Sequence, residues 1–506
     1  MTADPFQERP AGYRIACGHP ETAQAARLVL EAGGNAFDAA VAAGFAGAVA
    51  EPALTSLGGG GFLLARTASG DTTLFDFFTD TPGRGRGAVT PHFFPQPVHF
   101  PGSTQIFNVG LGSVAVPGNL QGFLHVHKRL GRLVLARVVE PAVRLAREGV
   151  LLNRHQAYFM TILHPILSLS EAGKRLYGAA GAAPRPGDRL RNPDLAGFLA
   201  ALPDDEGTSF HHGPLAAAIV ADMAANGGLL TLADLADYRV IERQPLRFSY
   251  GDVTLHTNPA PSFGGPLIAA TLQLLAAAGL GSHRHGSSGH LLLLARAMQE
   301  IERYRAGAGN DEPATAAWCA AAGARLRRQS SGTTHVSVRD REGNVASMTT
   351  SNGEGSGYIV PGTGIMLNNM MGEDDLHPDG FHASPPGTRI SSMMAPCLAE
   401  REGEVVLVIG SGGSKRIRTA IPQVVANLLD FGMSCQQAVD APRLHWDGET
   451  LQMEPGFDSA AVARLQTLMP VNLWSEANMY FGGVHAIAGT EAAADPRRGG
   501  AALAGD

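Results

Sequence analysis

Apolar residues recur at helical spacing in ETAQAARLVLEAGG, and the Gly33-Gly34 pair ends the run. Asn35 then stands where an N-cap opens a second, Ala-rich helix, NAFDAAVAAGFAGAVAE, so residues 20–50 are predicted helical. Four glycines, Gly58 to Gly61, precede the apolar strand FLLAR and read as a flexible turn into it. Residues 84–110, rich in Gly, Pro, Phe and His, read as an irregular surface excursion. Helices are predicted over 118–150 and around 190–240, the last of them capped by Thr231. NPAPSFGGPLIAATLQLLAAAGLG reads as a turn followed by a long apolar helix. Residues 303–332, rich in Ala, Gly and charge, read as a linker or exposed loop.

At residue 333 the texture changes. TTHVSVRDREGNVASMTTS alternates polar and apolar positions on either side of the tight turn DREGN, which predicts a β-hairpin. EVVLVIGSGG is a further strand running into a glycine turn. IRTAIPQVVANLLDFG is an amphipathic helix that continues past Pro422, and FGGVHAIAG is a terminal strand. No repeat of fixed period is found. The order of helices, hairpins and helices fits sheets covered by helices on both outer faces.

Composition narrows the function classes. The chain has 506 residues, 44% hydrophobic and 17% charged, which suits a large globular protein. Its 63 glycines follow no triplet period, so collagen is excluded. A net charge of −7 with no long basic run gives no sign of a nucleic-acid partner or an anionic membrane. No apolar stretch reaches the roughly 20 residues needed to cross a bilayer. The N-terminal residues lack a basic segment followed by an apolar one, so the expected location is cytoplasmic. Cys17, Cys319, Cys397 and Cys435 are scattered, which argues against a disulfide framework or zinc knuckle and for small buried or half-buried thiols. His211-His212 reads as a solvated pair in a loop, and no clustered ligand pattern implies a metal or other cofactor.

The chemistry points to the junction Gly332-Thr333-Thr334-His335. If the chain is cut before Thr333, that residue gains a free α-amine beside its own hydroxyl. Such an amine titrates near about 7.7–8.0, so a useful fraction is an unprotonated base at neutral pH. One residue then supplies nucleophile and base together. Downstream, Ser351 and Asn352 follow the hairpin, Asn368-Asn369 leads into Glu373-Asp374-Asp375, and Ser391-Ser392 adds two hydroxyls. Gly412 and Gly413 follow the strand VVLVIG and can present successive backbone N–H groups as an oxyanion hole.

In this combination the sequence resembles the γ-glutamyltransferase (γ-glutamyltranspeptidase) family of N-terminal-nucleophile hydrolases. The likeness runs through GGNAFDAAVAA, EPALTSLGGGGF, SVAVPG, NGGLLTLADLADYRV, NPAPSFGG, TTHVSVRDREGN, GIMLNN, SSMMAP, GSGGS and FGGVHAIAG. It implies an α/β (α+β) chain folded as a four-layer αββα sandwich. It also implies a proenzyme cut into a large subunit, 1–332, and a small catalytic subunit, 333–506. Thr333 corresponds to the nucleophile, and Ser351 stands where the family has a supporting Thr. Asn352 resembles a substrate-binding Asn. Glu373 or Asp374 falls where an acid holds the donor's α-ammonium. Ser391 and Ser392 match the pair on its α-carboxylate, and Gly412 and Gly413 match the oxyanion glycines.

Two departures bear on the substrate. In DFFTDTP, Phe78 occupies the position of the family's carboxylate-gripping Arg, whose bidentate contact Phe cannot make. Arg84 and Arg86 lie nearby in sequence, and Met370 replaces the Gln after the Asn pair. The expected function is cleavage of γ-glutamyl amides such as glutathione through an acyl-enzyme, with transfer to water or to amino acids and peptides. The alternative is an acylase of the same fold acting on another carboxylated amide.

Overall fold

In the computed structural model, residues 12–87, 89–100, 103–178, 181–305, 332–377 and 379–506 are described. The predicted hairpin forms from Thr334–Arg339 and Val345–Ser351, antiparallel, with Thr334 opposite Thr350 and Val336 opposite Met348. Its turn is held by Asp340, whose Oδ1 accepts the N–H groups of Glu342 at 3.0 Å and Asn344 at 2.9 Å. Gly343 there has φ +92°, a conformation that favours glycine.

Strand alternation divides the hairpin between two environments. Val336, Val338, Ala346 and Met348 pack on the helix Ala36–Ala50, which is buried along its whole length. His335, Ser337, Ser347 and Thr349 face a second sheet. The first sheet has seven antiparallel strands in the order Ala501–Gly505, Tyr13–Cys17, Thr334–Arg339, Val345–Ser351, Gly60–Arg66, Thr72–Phe77, Ile241–Arg243. The second has six, in the order Glu491–Ala494, Gly483–Ala488, Glu404–Gly412, Cys397–Arg401, Val253–Thr257, Leu246–Tyr250. Its outer face is covered by the helices Gly264–Ala277 and Ile417–Leu429, whose Leu272, Ile421 and Val424 join Leu255, Leu407 and Ile409 in one apolar cluster. The layers are therefore helix, sheet, sheet, helix, as expected. Strands from both sides of residue 333 interleave in the first sheet and pair edge to edge in the second, so a cut there would leave the two pieces locked together.

The space between the sheets is polar near the hairpin. His335 is bonded through Nδ1 to Thr349 Oγ1 at 2.8 Å and through Nε2 to Ser337 Oγ at 3.0 Å. Ser337 donates to the His485 carbonyl at 3.2 Å and Ser347 to the Ile409 carbonyl at 3.2 Å. Burial holds the His335 imidazole well below its usual range, so it stays neutral.

Several local expectations are met by named contacts. Asn35 caps its helix by accepting from Phe37 and Asp38 N–H, and Thr231 closes a capping box with Asp234. Cys17, Cys397 and Cys435 are buried thiols, while Cys319 and most of the 303–332 segment lie outside the described residues. Three expectations are corrected. The supposed excursion contains a hairpin, Phe94–Phe100 with Ser103–Val109, whose Val98, Phe107 and Val109 pack on the helix Arg154–Leu167. His211 is not solvated: it is buried at the end of a one-turn helix, and burial lowers its pKa to about 4. The Gly58–Gly61 run is not a flexible turn. A Cβ on Gly59 would meet the Ser351 carbonyl oxygen at 2.1 Å, and one on Gly61 would meet that of Thr349 at 2.6 Å.

Gly410 offers a test of how tightly the sheets meet, because a Cβ there would lie 2.2 Å from the His335 ring. Gly410→Ala is expected to destabilise the protein by about 1–3 kcal/mol, the usual cost of overpacking. In a His335→Ala background most of that penalty should vanish. Denaturant unfolding of the four chains of this cycle checks it, and additive effects would refute the contact.

Candidate active site

The hairpin register sets Thr333 across from Ser351, one residue beyond the Thr334–Thr350 pair. Both line one cleft, with Phe78, Met370, Glu373, Asp375, Leu376, Ser392, Met393, Met394, Ser414 and Ile417. The cleft encloses about 290 Å³ including its open mouth. Thr333 Oγ1 lies 3.5 Å from Ser351 Oγ, at the outer limit of a hydrogen bond. Ser351 accepts the Gly353 N–H at 3.0 Å and donates a short hydrogen bond to the Gly332 carbonyl. The hydroxyl of Ser351 thus polarises the carbonyl that immediately precedes Thr333.

The other side of Thr333 is equally defined. Its carbonyl accepts from Arg498 Nη1 at 3.1 Å. Arg498 is buried, lies 5.6 Å from the Phe159 ring centre, and has its pKa lowered to about 10 by burial and then by Arg416. The neighbouring Thr334 hydroxyl donates to Glu51 at 2.8 Å, and Thr22 donates to the other Glu51 oxygen at 2.9 Å. Burial raises the Glu51 pKa despite these two donors. Gly412 ends the strand Glu404–Gly412, and a Cβ there would sit 2.3 Å from the Thr333 carbonyl oxygen. Gly413 has φ +120° and abuts Gly482.

Of the acids expected near the donor, Glu373 lines the cleft, whereas the second lining acid is Asp375 and not Asp374. Ser414 Oγ donates to Asp375 Oδ2 at 3.3 Å. Ser392 lines the cleft and accepts the Met394 N–H at 3.1 Å, while Ser391 is half-buried and turned to the Leu376 carbonyl at 3.4 Å. Asn352 is buried beside the cleft, and among the described residues neither of its amide atoms has a hydrogen-bond partner. Glu354, next along the loop, accepts from Asn369 Nδ2 at 3.4 Å. Burial raises its pKa well above the carboxylate range, and the Glu373 carboxylate adds to the shift.

Phe78 forms part of the cleft wall. It is 1% exposed and stacks on Phe62 with ring centres 5.6 Å apart. Among the described residues no Arg or Lys lines the cleft. Arg84 is directed to Gly387, and Arg389 pairs with Asp76 and Asp80 at 2.6 Å each. Sequence reasoning misses Arg498, Glu354 and Ser414, and reaches Asp375 only as a member of the acidic run. The acidic run is a weak signal for Asp375 and the Ser directly after Gly412-Gly413 a weak signal for Ser414, and nothing local signals Arg498. Among the described residues no group of acids, histidines and cysteines is arranged to hold a metal ion, and no helix is long and apolar enough to cross a membrane.

Residues 22–317 and 309–505 match the gamma-glutamyltranspeptidase family. The chain belongs to that family. An acylase ACY 1 proenzyme from Pseudomonas sp. (strain SE83) is 34% identical over 488 residues, covering 91% of this chain and 87% of that one. A glutathione hydrolase proenzyme from Escherichia coli (strain K12) is 31% identical, covering 87% of this chain and 82% of its own. Among solved structures, a cephalosporin acylase from Bacillus halodurans matches with a TM-score of 0.84 at 25% identity, over 98% of this chain and 96% of that one. The fold is that of the N-terminal-nucleophile hydrolases, and the chain is a gamma-glutamyltranspeptidase-family enzyme.

The buried acid Glu354 gives a pH test. At low pH the carboxyl is protonated in both folded and unfolded chains. Above the ordinary carboxylate range the unfolded chain ionises first, so wild-type stability carries a growing cost until pH passes the raised folded pKa. Glu354→Gln removes that titration. Measured in a Thr333→Ala background to hold the chain in one state, its stability relative to the parent should rise with pH between acid and neutral. A difference independent of pH would show that Glu354 ionises normally.

Proposed function

We propose that this enzyme matures by cutting itself between Gly332 and Thr333 and then hydrolyses amides through an ester on Thr333. The observation that carries this reading is the meeting of the Thr333 and Ser351 hydroxyls in one cleft, with the Gly332 carbonyl bonded to Ser351. In maturation Thr333 Oγ bonds to the Gly332 carbonyl carbon, the C–N bond breaks, and the hydroxyl proton passes to the leaving nitrogen. Water hydrolyses that ester, leaving Thr333 with a free amine. In turnover the amine takes the hydroxyl proton as Oγ attacks the substrate carbonyl, and returns it to the departing amine. Gly412 and Gly413 are assigned to the oxyanion through their backbone N–H groups, an arrangement in which one donor contributes roughly 2.7–4 kcal/mol. Water, or an acceptor amine, releases the acyl group. Relatives whose names include the word proenzyme support the maturation step.

Two donor classes fit the cleft unequally. An acylase reading is favoured by the apolar wall of Phe78, Met370, Met393 and Met394 and by the lack of a lining cation among the described residues. A γ-glutamyl reading is favoured by Glu373 and Ser392, which could take an α-ammonium and share an α-carboxylate. Asp374, Ser391 and Asn352 take no lining position in the cleft, so the donor clamp read from sequence shrinks to Glu373 and Ser392, with Asp375 in place of Asp374 as the second lining acid. We therefore read the enzyme as an acylase-like amide hydrolase in which γ-glutamyl turnover is slow.

The nucleophile is tested by intact mass and by sequencing the smaller fragment. Wild type should yield a fragment beginning Thr-Thr-His, and Thr333→Ala should remain one chain without amidase activity. Another N-terminus, or an active uncut variant, would refute the assignment.

The donor is tested at Phe78. A hydrogen bond to a charged group contributes roughly 1.5–3 kcal/mol. Phe78→Arg should thus raise kcat/KM for γ-glutamyl p-nitroanilide about ten- to a hundredfold, and Phe78→Leu should not. Wild-type hydrolysis of glutathione with a micromolar KM would count against the acylase reading.

A further inference from the structure

The residue that precedes the nucleophile sits in a recess built almost wholly of backbone. A Cβ added to Gly332 would lie 2.5 Å from the Gly353 carbonyl oxygen, 2.7 Å from the Ala53 carbonyl oxygen and 3.2 Å from Leu54 Cα. Gly332 is gripped at both ends of its residue. Its carbonyl accepts from Ser351, and its N–H is among the groups that stabilise the Glu354 carboxylate. The wall is not free to retreat. Gly353 holds φ +61°, and a Cβ on it would meet Asn369 Oδ1 at 2.0 Å and Glu373 Oε1 at 2.4 Å. Asn369 in turn fixes Glu354, accepting its backbone N–H at 2.9 Å. On the other side, Leu54 accepts the Asn352 N–H at 3.3 Å, which ties the 53–54 segment to the same loop.

We propose that the recess now holding Gly332 becomes the acyl subsite of the mature enzyme, and that it selects acyl groups with no L-configured branch on the carbon next to the scissile carbonyl. The inference rests on Thr333 being the nucleophile for both reactions. In maturation its Oγ forms an ester with the Gly332 carbonyl as the peptide C–N bond breaks. In turnover the same oxygen forms the same kind of ester with a substrate acyl group as the amide C–N bond breaks, and the amine leaves with the proton. One oxygen on one rigid strand end approaches both carbonyls, so the first carbon of the acyl group takes the place of Gly332 Cα. A CH₂ fits there. A methyl in the direction of an L side chain meets two carbonyl oxygens that no side-chain movement can clear. The same carbonyls make the recess acceptor-lined, so it suits an unbranched acyl chain carrying an ammonium or N–H rather than a carboxylate close to the carbonyl.

The test uses the purified mature enzyme with three p-nitroanilides: that of 4-aminobutyrate and those of both enantiomers of 4-amino-2-methylbutyrate. The enantiomer whose methyl matches an L side chain should show kcat/KM lower than the unbranched donor by roughly ten- to a hundredfold, the overpacking cost expressed as a rate. Equal values overturn the proposal. Maturation asks the same question without any substrate: Gly332→Ala should convert from precursor to fragments more slowly by a similar factor, followed by intact mass over time. Conversion at the wild-type rate overturns the proposal, and so does slow conversion combined with full tolerance of the branched donor. Failure of the underlying reading is distinguishable, because it alone would let a Thr333→Ala chain cut itself or hydrolyse these anilides.

Discussion

A Cβ at Gly412 would lie 2.3 Å from the Thr333 carbonyl oxygen, and one at Gly410 would lie 2.2 Å from the His335 ring. Two residues apart on one strand, these glycines face the hairpin strand that begins at Thr333. The contact sets how close the two sheets come at this end of the sandwich. It also decides what fills the gap. With no room for interdigitating apolar side chains, the interior is closed by His335, Ser337, Ser347 and Thr349, each bonded across or along the sheets. Such a layer is stable only when its members are paired, since an unpaired buried polar group costs about 1–3 kcal/mol. Thr333 therefore stands at a strand end whose position is over-determined by backbone contacts and a neutral histidine.

The same closeness explains which parts of the molecule were legible in the sequence. Hairpin alternation, the Asp340 turn and the caps at Asn35 and Thr231 are local signals, and each is realised by contacts within a few residues. The hairpin at 94–109 was hidden because Pro95 and Pro97 break the usual strand signature. A two-stranded ribbon tolerates them, since a proline there can face away from its partner. The Gly58–Gly61 run was misread for a different reason. Glycine signals freedom when nothing is near it and close approach when something is, and only the fold brings Ser351 and Thr349 to those positions. His211 next to His212 looked solvated because nothing in the local sequence reports burial by elements at a distance.

The candidate site divides along the same line. Thr333, Ser351, Gly412 and Gly413 were read from a motif whose spacing is fixed by one hairpin and one strand end. The acids were not so fixed: Glu373, Asp374 and Asp375 follow one another through a turn, and the sequence does not reveal which two of three face inward. Glu373 and Asp375 do. Arg498 reaches Thr333 from near the far end of the chain, through the short segment before the strand Ala501–Gly505 that borders the first sheet. Its guanidinium and the Glu51 carboxylate stand behind Thr333 and Thr334, while Glu354, Glu373 and Asp375 stand before them. The strand end is thus set between buried groups of both signs, with Arg416 stacked over Tyr480 at 4.7 Å close to the acids.

What separates the chemistry from the choice of substrate is the kind of atom that holds each. The atoms around Gly332 and Thr333 are mostly backbone: the Gly353 and Ala53 carbonyls beside Gly332 and Gly412 beside the Thr333 carbonyl, with side-chain donors from Ser351 and Arg498. Point substitutions change such groups little, because any side chain that folds the same way presents them. The outer cleft is made of side chains: Phe78, Met370, Met393, Met394, Glu373 and Ser392. Phe78 in this wall is absorbed by stacking on Phe62 within an apolar cluster. A scaffold built this way can keep one bond-breaking geometry while its donor pocket drifts. That is consistent with glutathione hydrolase and acylase proenzymes both standing at about one-third identity to this chain over most of its length.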